Sequence, residues 1–197
     1  MTLYLASGSP RRAELLQQIA VPFTVLKAPD IDETPRPGEA PQAYVERMAR
    51  EKSCAGERLR AAEGLPFGVV LGADTSVVFE DTILGKPQSR AHALEMLAML
   101  SGNQHQVISA LALTTGQECR IACSITQVQF RELTCEQMAR YVDTGEGNDK
   151  AGGYGIQGLG AALVASLTGS YSGVVGLPLE QTVLLLEQAG LDYWCID

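Results

Sequence analysis

The segment Ser7-Gly8-Ser9-Pro10-Arg11-Arg12 stands between a short apolar run, Leu3 to Ala6, and an amphipathic stretch. A helix starting at Pro10, with Ser9 as its N-cap, would aim backbone N–H groups and partial positive charge at a ligand. Gly8 would let backbone approach that ligand, and the two arginines would add donors shaped for phosphate. An ordinary capped helix with solvated arginines fits the segment too, but arginine in a first turn opposes the helix dipole, which favours a binding role. The G-x-x-x-x-G-K-[ST] spacing of a Walker A loop is absent.

Three further groups extend this chemistry. Asp32 and Glu33 share a loop, and Asp74 is expected at the end of an apolar strand, beside Thr75. Hydrolysis of a polyphosphate needs oxygen ligands for a hard divalent cation and a base for water, and these carboxylates suit either task. Surface acidity accounts for Asp32 and Glu33 as readily, and a turn or cap role for Asp74. Lys52 falls on the apolar stripe of a long helix, where it must snorkel or meet an anion. Lys86 sits in a tight Gly-Lys-Pro loop that suits a phosphate contact, and Lys150 follows Asp149. The stretch Asp149 to Gly158 is glycine-dense, and the Gln157 amide can donate and accept side by side, matching O4 and N3–H of uracil or thymine. A flexible lid is the rival account. His92 and His105, the two histidines, read as structural, and no G-x-S-x-G elbow supports a hydrolase triad.

The elements that must position these residues follow from periodicity. Leu3 to Ala6 reads as a buried strand, and Pro10 to about Ala20 as a helix with Leu15, Leu16 and Ile19 inward, ended by Pro22. Ala28 to Pro41 is loop. Pro41 to about Ala62 is a helix with Val45, Met48, Ala49, Lys52, Ala55 and Leu59 on one stripe. Val69 to Leu71 forms a strand ending in Gly72-Ala73-Asp74-Thr75, with an extended continuation to Phe79. Ser89 to Leu100 is helical, and Val107 to Leu113 with Ile121 to Phe130 form an antiparallel pair, bulged between Ile125 and Val128. Thr134 and Gln137 form a capping box for a helix ending near Val142. Gly145 to Gly160 is loop, Ala161 to Leu167 a strand, Gly169 to Gly176 a turn with a short extended piece, and Pro178 to Ala189 a final helix. The order predicts an α/β protein whose mixed, partly antiparallel sheet is flanked by helices.

Composition narrows the classes. At 197 residues, with 46% hydrophobic and 19% charged side chains, the chain has the make-up of a folded globule large enough to need no disulfide staples. A formal net charge of −8 argues against DNA or RNA held mainly through phosphates. The five cysteines, with no C-x-x-C pair, read as reduced thiols. The apolar start is too short for a signal segment, no run could span a membrane, and a cytoplasmic location is expected.

Taken together, the motifs resemble the Maf family of nucleoside triphosphate pyrophosphatases along essentially the whole chain, 1–197, read as one domain of two lobes around a nucleotide cleft. The matching residues are Leu5 to Arg12, Asp32-Glu33, Glu51-Lys52, Gly72-Ala73-Asp74-Thr75, Gly85-Lys86-Pro87, Leu100-Ser101-Gly102, Asp149 to Gly158 and Val175 to Pro178. The resemblance implies the two-lobed ITPase-like fold, a homodimer, and hydrolysis of the α–β phosphoanhydride with a divalent metal cation, Mg²⁺ or Mn²⁺. It also implies Asp74 as proton acceptor and metal partner, Glu33 as metal partner, and Lys52, Lys86, Ser7 and Arg11 as phosphate contacts. Arg12, Thr75 and Gln157 resemble the subgroup that prefers dTTP and UTP. A nucleotide-binding regulator of cell division without turnover, and a purine-reading inosine-type pyrophosphatase, are the alternatives.

Overall fold

The computed structural model describes residues 1–27 and 30–196, so the first two residues of the expected proline-rich loop, Ala28 and Pro29, lie outside the described residues. The chain opens with β1 (Thr2–Ala6), α1 (Pro10–Gln18) and β2 (Phe23–Leu26), a unit whose two strands pair in parallel. Leu15, Leu16 and Ile19 of this unit are buried, and the helix ends where Ala20 turns to a positive φ of 49°, two residues before Pro22. β2 was not foreseen from the sequence because it is short and its Thr24 and Val25 face solvent, which erases a strand's apolar alternation.

Helix α2 (Pro41–Ala62) has the expected bounds, yet its buried stripe runs from Val45, Met48 and Ala49 through Ser53, Gly56 and Arg60 instead of Ala55 and Leu59. Close approach to the sheet explains the choice of small residues. A Cβ on Gly56 would meet Ala6 Cβ at 2.6 Å, and one on Gly72 would meet the Ser53 backbone N at 2.4 Å and the Ala49 carbonyl at 2.6 Å. Ser53 satisfies its buried hydroxyl by donating to the Val70 carbonyl at 2.7 Å.

β3 (Gly68–Phe79) is one continuous strand of 12 residues. Asp74 therefore lies in mid-strand, not at a strand end, because Gly72 to Ser76 stay paired residue by residue with Ala112 to Ile108 of the neighbouring strand. β3 then reverses through Glu80 and Asp81, both at positive φ as a two-residue hairpin turn demands, into β4 (Thr82–Leu84). Helix α3 (Arg90–Leu100) is capped by Ser89, whose hydroxyl accepts from the His92 backbone N–H. β5 (Gln104–Thr115) and β6 (Glu118–Phe130) form the long hairpin.

Their register runs unbroken from Gln104↔Gln129 to Thr115↔Glu118, so the expected bulge is absent. The apolar phase slips only because Ile125 faces solvent while Thr126 is buried. The one irregularity falls between Gln129 and Phe130, on the other side of β6.

α4 (Cys135–Asp143) carries the foreseen capping box. Leu159–Leu163 coils into a 3₁₀ turn, which shortens the next strand to β7 (Val164–Thr168). The stretch expected to be extended before Gly176 is instead a short helix, α5 (Tyr171–Val175), because the Ser170 hydroxyl caps the Gly173 N–H. α6 (Leu179–Gln188) closes the regular structure.

Among the described residues seven strands form a single mixed sheet in the order β2-β1-β3-β5-β6-β7, with β4 attached to β3. One face of β3 and β5 is covered by α1 and α6 near Leu71 and Leu111, and by α3 and α4 near Val77 and Val107. α2 covers the opposite face near Val70, Val78 and Ile108. This α/β architecture is the one the element order predicted. Among the described residues no helix is long and apolar enough to cross a membrane.

The arrangement leaves an opening at the middle of the molecule. β5 occupies one edge of β3 over Val70 to Val78. On the other edge β1 pairs only as far as Leu71, and β4 begins only at Val77. Gly72 to Ser76 thus form an uncovered stretch of strand edge, from which side chains of both faces can reach one ligand.

Candidate active site

A cleft of about 800 Å³ opens at this gap, within the size range of small-ligand sites, roughly 300–1,000 Å³. Its lining includes Arg11, Arg12, Glu33, Lys52, Asp74, Thr75, Lys86, Lys150 and Gln157, which are separated by up to 146 positions in the chain (157 − 11). Five cationic side chains (Arg11, Arg12, Lys52, Lys86, Lys150) face four carboxylates (Glu33, Asp74, Glu146, Asp149). The cleft is therefore locally cationic in a chain of net charge −8, which fits an anionic ligand.

At the carboxyl end of β1, Gly8, Ser9 and Pro10 line the cleft together with the N-terminus of α1. Ser9 occupies the N-cap position but makes no side-chain cap bond, contrary to the sequence expectation. Its N–H donates to Ser7 Oγ at 3.2 Å, so the positive helix end is left open toward the cleft. Ser7 is 7% exposed and lies beneath the lining, where its hydroxyl also accepts from Arg12 Nη1 at 3.2 Å. Arg12 donates through Nε to the Gly176 carbonyl at 2.9 Å and reaches Thr75 Oγ1 at 3.5 Å. Burial pulls the pKa of this guanidinium down, an effect the nearby Asp74 carboxylate opposes. Thr75 Oγ1 lies 2.8 Å from Ser109 Oγ, and Ser109 in turn donates to the Gly173 carbonyl at 2.6 Å. Arg12 and Thr75 thus join α1, β3 and α5 into one wall.

On the α2 side, Lys52, one turn after the buried Met48 and Ala49, extends to two carboxylates. Its Nζ is 2.7 Å from Asp74 Oδ1 and 2.8 Å from Glu33 Oε1. The unusual position of this lysine is thereby explained: it meets anions instead of snorkelling. Glu33 belongs to no helix or strand and is held by two contacts that periodicity did not flag. Tyr44 donates to the Glu33 carbonyl at 2.9 Å, and Arg47 donates to the Thr34 carbonyl at 3.1 Å. Arg47 is clamped by both oxygens of Glu39, and the hydrogen bonds from Arg47 hold the Glu39 carboxyl down at about 2. Asp32 turns away from this cluster to accept from the Thr34 N–H at 2.9 Å, and it is not part of the lining.

The far wall is the glycine-rich loop. Gln157 is exposed on it, flanked by the buried Ile156 and Tyr154. Lys150 bonds Asp149 at 2.7 Å, and Asp149 faces Arg11 at 3.9 Å. Tyr154 is fixed from behind by His105, whose Nε2 lies 2.7 Å from the Tyr154 hydroxyl and whose ring packs edge-on against Phe130.

Burial lowers the His105 pKa to about 4, and its Nδ1 has no hydrogen-bond partner among the described residues. The ring is neutral in the folded protein at pH 5 but mostly protonated in an unfolded chain, where the ordinary value is about 6.5. The unfolded state then binds more protons, so the associated stability is present above about 6.5 and is lost as pH falls toward about 4. Urea unfolding at pH 7.5 and 5.0 is expected to show a loss of about 2 kcal/mol that His105→Gln removes; an equal loss in both proteins would contradict it.

The chain is similar to several known proteins. The family described as Maf-like protein matches residues 2–189. A relative from Alcanivorax borkumensis, named dTTP/UTP pyrophosphatase, is 62% identical over 197 residues, covering 100% of both chains. A second, from Pseudoalteromonas atlantica and of the same name, is 49% identical, covering 98% of this chain and 100% of its own. A solved nucleoside-triphosphatase, a dITP/XTP pyrophosphatase from Mycobacterium abscessus, aligns over 96% of this chain and 94% of its own with 16% identity and a TM-score of 0.47.

Proposed function

Because the chain belongs to the Maf family over nearly its whole length, we propose that its cleft binds dTTP or UTP and hydrolyses the α–β phosphoanhydride to the nucleoside monophosphate and pyrophosphate. The observation that carries this reading is the meeting of Asp74, Glu33 and five cationic side chains in one cleft with Gln157 on its rim loop. Hydrolysis of a phosphoanhydride depends mostly on positioning and on neutralising charge, and that is what these residues offer.

Water attacks the α-phosphorus and its proton passes to Asp74. The bond from that phosphorus to the bridging oxygen breaks, and the electron pair departs with pyrophosphate. Lys52, Lys86 and Arg11 face the phosphate oxygens on which negative charge grows, together with the uncapped N-terminus of α1. Ser7 acts through Arg12, which it holds.

A divalent cation fits this donor set. Glu33 and Asp74 bring carboxylate oxygens from a loop and a strand to a single point, marked by the ammonium of Lys52. Mg²⁺ and Mn²⁺ suit such sites, where one or two carboxylates are completed by phosphate and water. When bound, the ion supplies neutralising charge to the phosphate oxygens. On the same reading the protein works in the cytoplasm as a homodimer.

The test is a panel of pyrimidine and purine triphosphates with Mg²⁺, scored for products. The expected result is monophosphate plus pyrophosphate, fastest from dTTP and UTP. Diphosphate plus phosphate, a purine preference or no turnover would each refute it.

Selection of the base rests on the Gln157 amide, which can accept from N3–H and donate to O4 of a thymine or uracil ring. Arg12 and Thr75 shape the same pocket through their contact with each other and the Gly176 carbonyl. Gln157→Ala should lower the ratio of kcat/KM for dTTP over dCTP by ~10-fold or more, since a site built to hydrogen-bond one edge loses its preference with the partner. An unchanged ratio would remove Gln157 from base recognition.

A further inference from the structure

The loop that presents Gln157 contains Gly152, Gly153, Gly155, Gly158 and Gly160, so its own sequence gives it almost no conformational preference. Its beginning is held through Gly152 and Tyr154, which bond the Gly85 carbonyl and His105, and the part around Gln157 is held chiefly by one carboxylate outside it. α4 ends at Asp143, and just past its C-cap Thr144 the positive φ of 74° at Gly145 turns the chain so that Glu146 enters the loop. Glu146 Oε2 accepts from the Leu159 N–H at 2.7 Å, and Oε1 accepts from the Gly160 N–H at 2.8 Å. Oε1 also accepts from the Tyr141 hydroxyl at 3.0 Å, and that hydroxyl accepts from the Gly155 N–H at 3.2 Å. Both ends of the segment carrying Gln157 are thereby tied to a single carboxylate.

The packing has the same origin. A Cβ on Gly158 would lie 2.2 Å from Glu146 Oε2, so this carboxylate fills the space a side chain would take. Lys150, whose ammonium bonds the Glu146 carbonyl, passes where a Cβ on Gly155 would sit, 2.8 Å from its Cδ and Cε. Burial alone would raise the Glu146 pKa, but the Gly160 and Leu159 amides, the Tyr141 hydroxyl and Lys150 together leave it below the ordinary value. With three donors already on its two oxygens, Glu146 is spent on the protein.

We infer that Glu146 is a positioning residue for base selection: its carboxylate, with Tyr141, braces the glycine-rich loop so that Gln157 meets the pyrimidine edge. The inference rests on the reading of Gln157 given above. A carboxylate is required because an amide of the same shape would turn an N–H donor toward a backbone N–H or the tyrosine hydroxyl.

Wild type, Glu146→Gln, Tyr141→Phe and Gln157→Ala are compared by backbone amide hydrogen exchange and by kcat/KM for dTTP and dCTP. Glu146→Gln should accelerate exchange across residues 155–160 and lower the dTTP/dCTP ratio by ~10-fold or more, as displacement by an ångström suffices to do. Tyr141→Phe, which removes one oxygen only, should move both readouts the same way by less. Combining Glu146→Gln with Gln157→Ala should cost no further discrimination, as expected for residues acting through one contact. Unchanged exchange, or an equal loss for both nucleotides, overturns the inference. Should Gln157→Ala leave the ratio unchanged, the base reading fails and the selective role of Glu146 with it, whereas accelerated exchange in Glu146→Gln would still identify the brace.

Discussion

Asp74→Asn is expected to fold like the wild type and to turn over dTTP at least ~10²-fold more slowly, within the ~10²–10⁴ range that a lost general base removes. The substitution keeps the size and planarity of the side chain in mid-β3, where the residue is 9% exposed, and the strand's pairing to Ala110 does not involve it. What disappears is the negative oxygen that Lys52 approaches and that would take the proton from water. Initial rates at saturating dTTP and Mg²⁺, with a thermal melt as control, decide the matter. Turnover near that of the wild type would end the assignment of Asp74 as proton acceptor.

Lys52→Met should lower kcat by ~10²–10³, the usual effect of removing one well-aimed electrostatic group. The methionine keeps the length of the stem one turn after the buried Met48 and Ala49, so the helix is little disturbed. Among the described residues the ammonium, however, is the one group that pairs with both Glu33 and Asp74. Without it two carboxylates from different elements converge with one positive charge fewer to offset them, and the phosphates lose a partner as well. A steady-state comparison with dTTP measures the loss. Equal kcat in variant and wild type would show that Lys52 only fills space.

Much of this site could be read before any fold was known, because its residues sit where periodicity breaks. Lys52 stood out as a charge on an apolar stripe, Lys86 as a cation between Gly85 and Pro87, and Gln157 as an amide amid glycines. What could not be read is what the sheet alone creates. The uncovered edge at Gly72 to Ser76 exists because β1 stops at Ala6 and β4 ends at Leu84, only three residues into the hairpin's return, and β4 itself was too short to recognise. The pull of Gly72 as a breaker made Asp74 look like a strand end, when pairing with β5 carries the strand through it. The braces were equally silent. Nothing in the sequence pattern set Tyr44 or Arg47 apart on their helix, or Glu146 apart in its loop, since each acts on a backbone group 11 to 14 positions away.

The central claim is that the cleft sends water, activated at Asp74, to the α-phosphorus. Hydrolysis of dTTP in water enriched in ¹⁸O, followed by mass spectrometry of both products, tests it most directly. The account predicts one ¹⁸O atom in dTMP and none in pyrophosphate. Label in the pyrophosphate would place the attack on the β-phosphorus and contradict it.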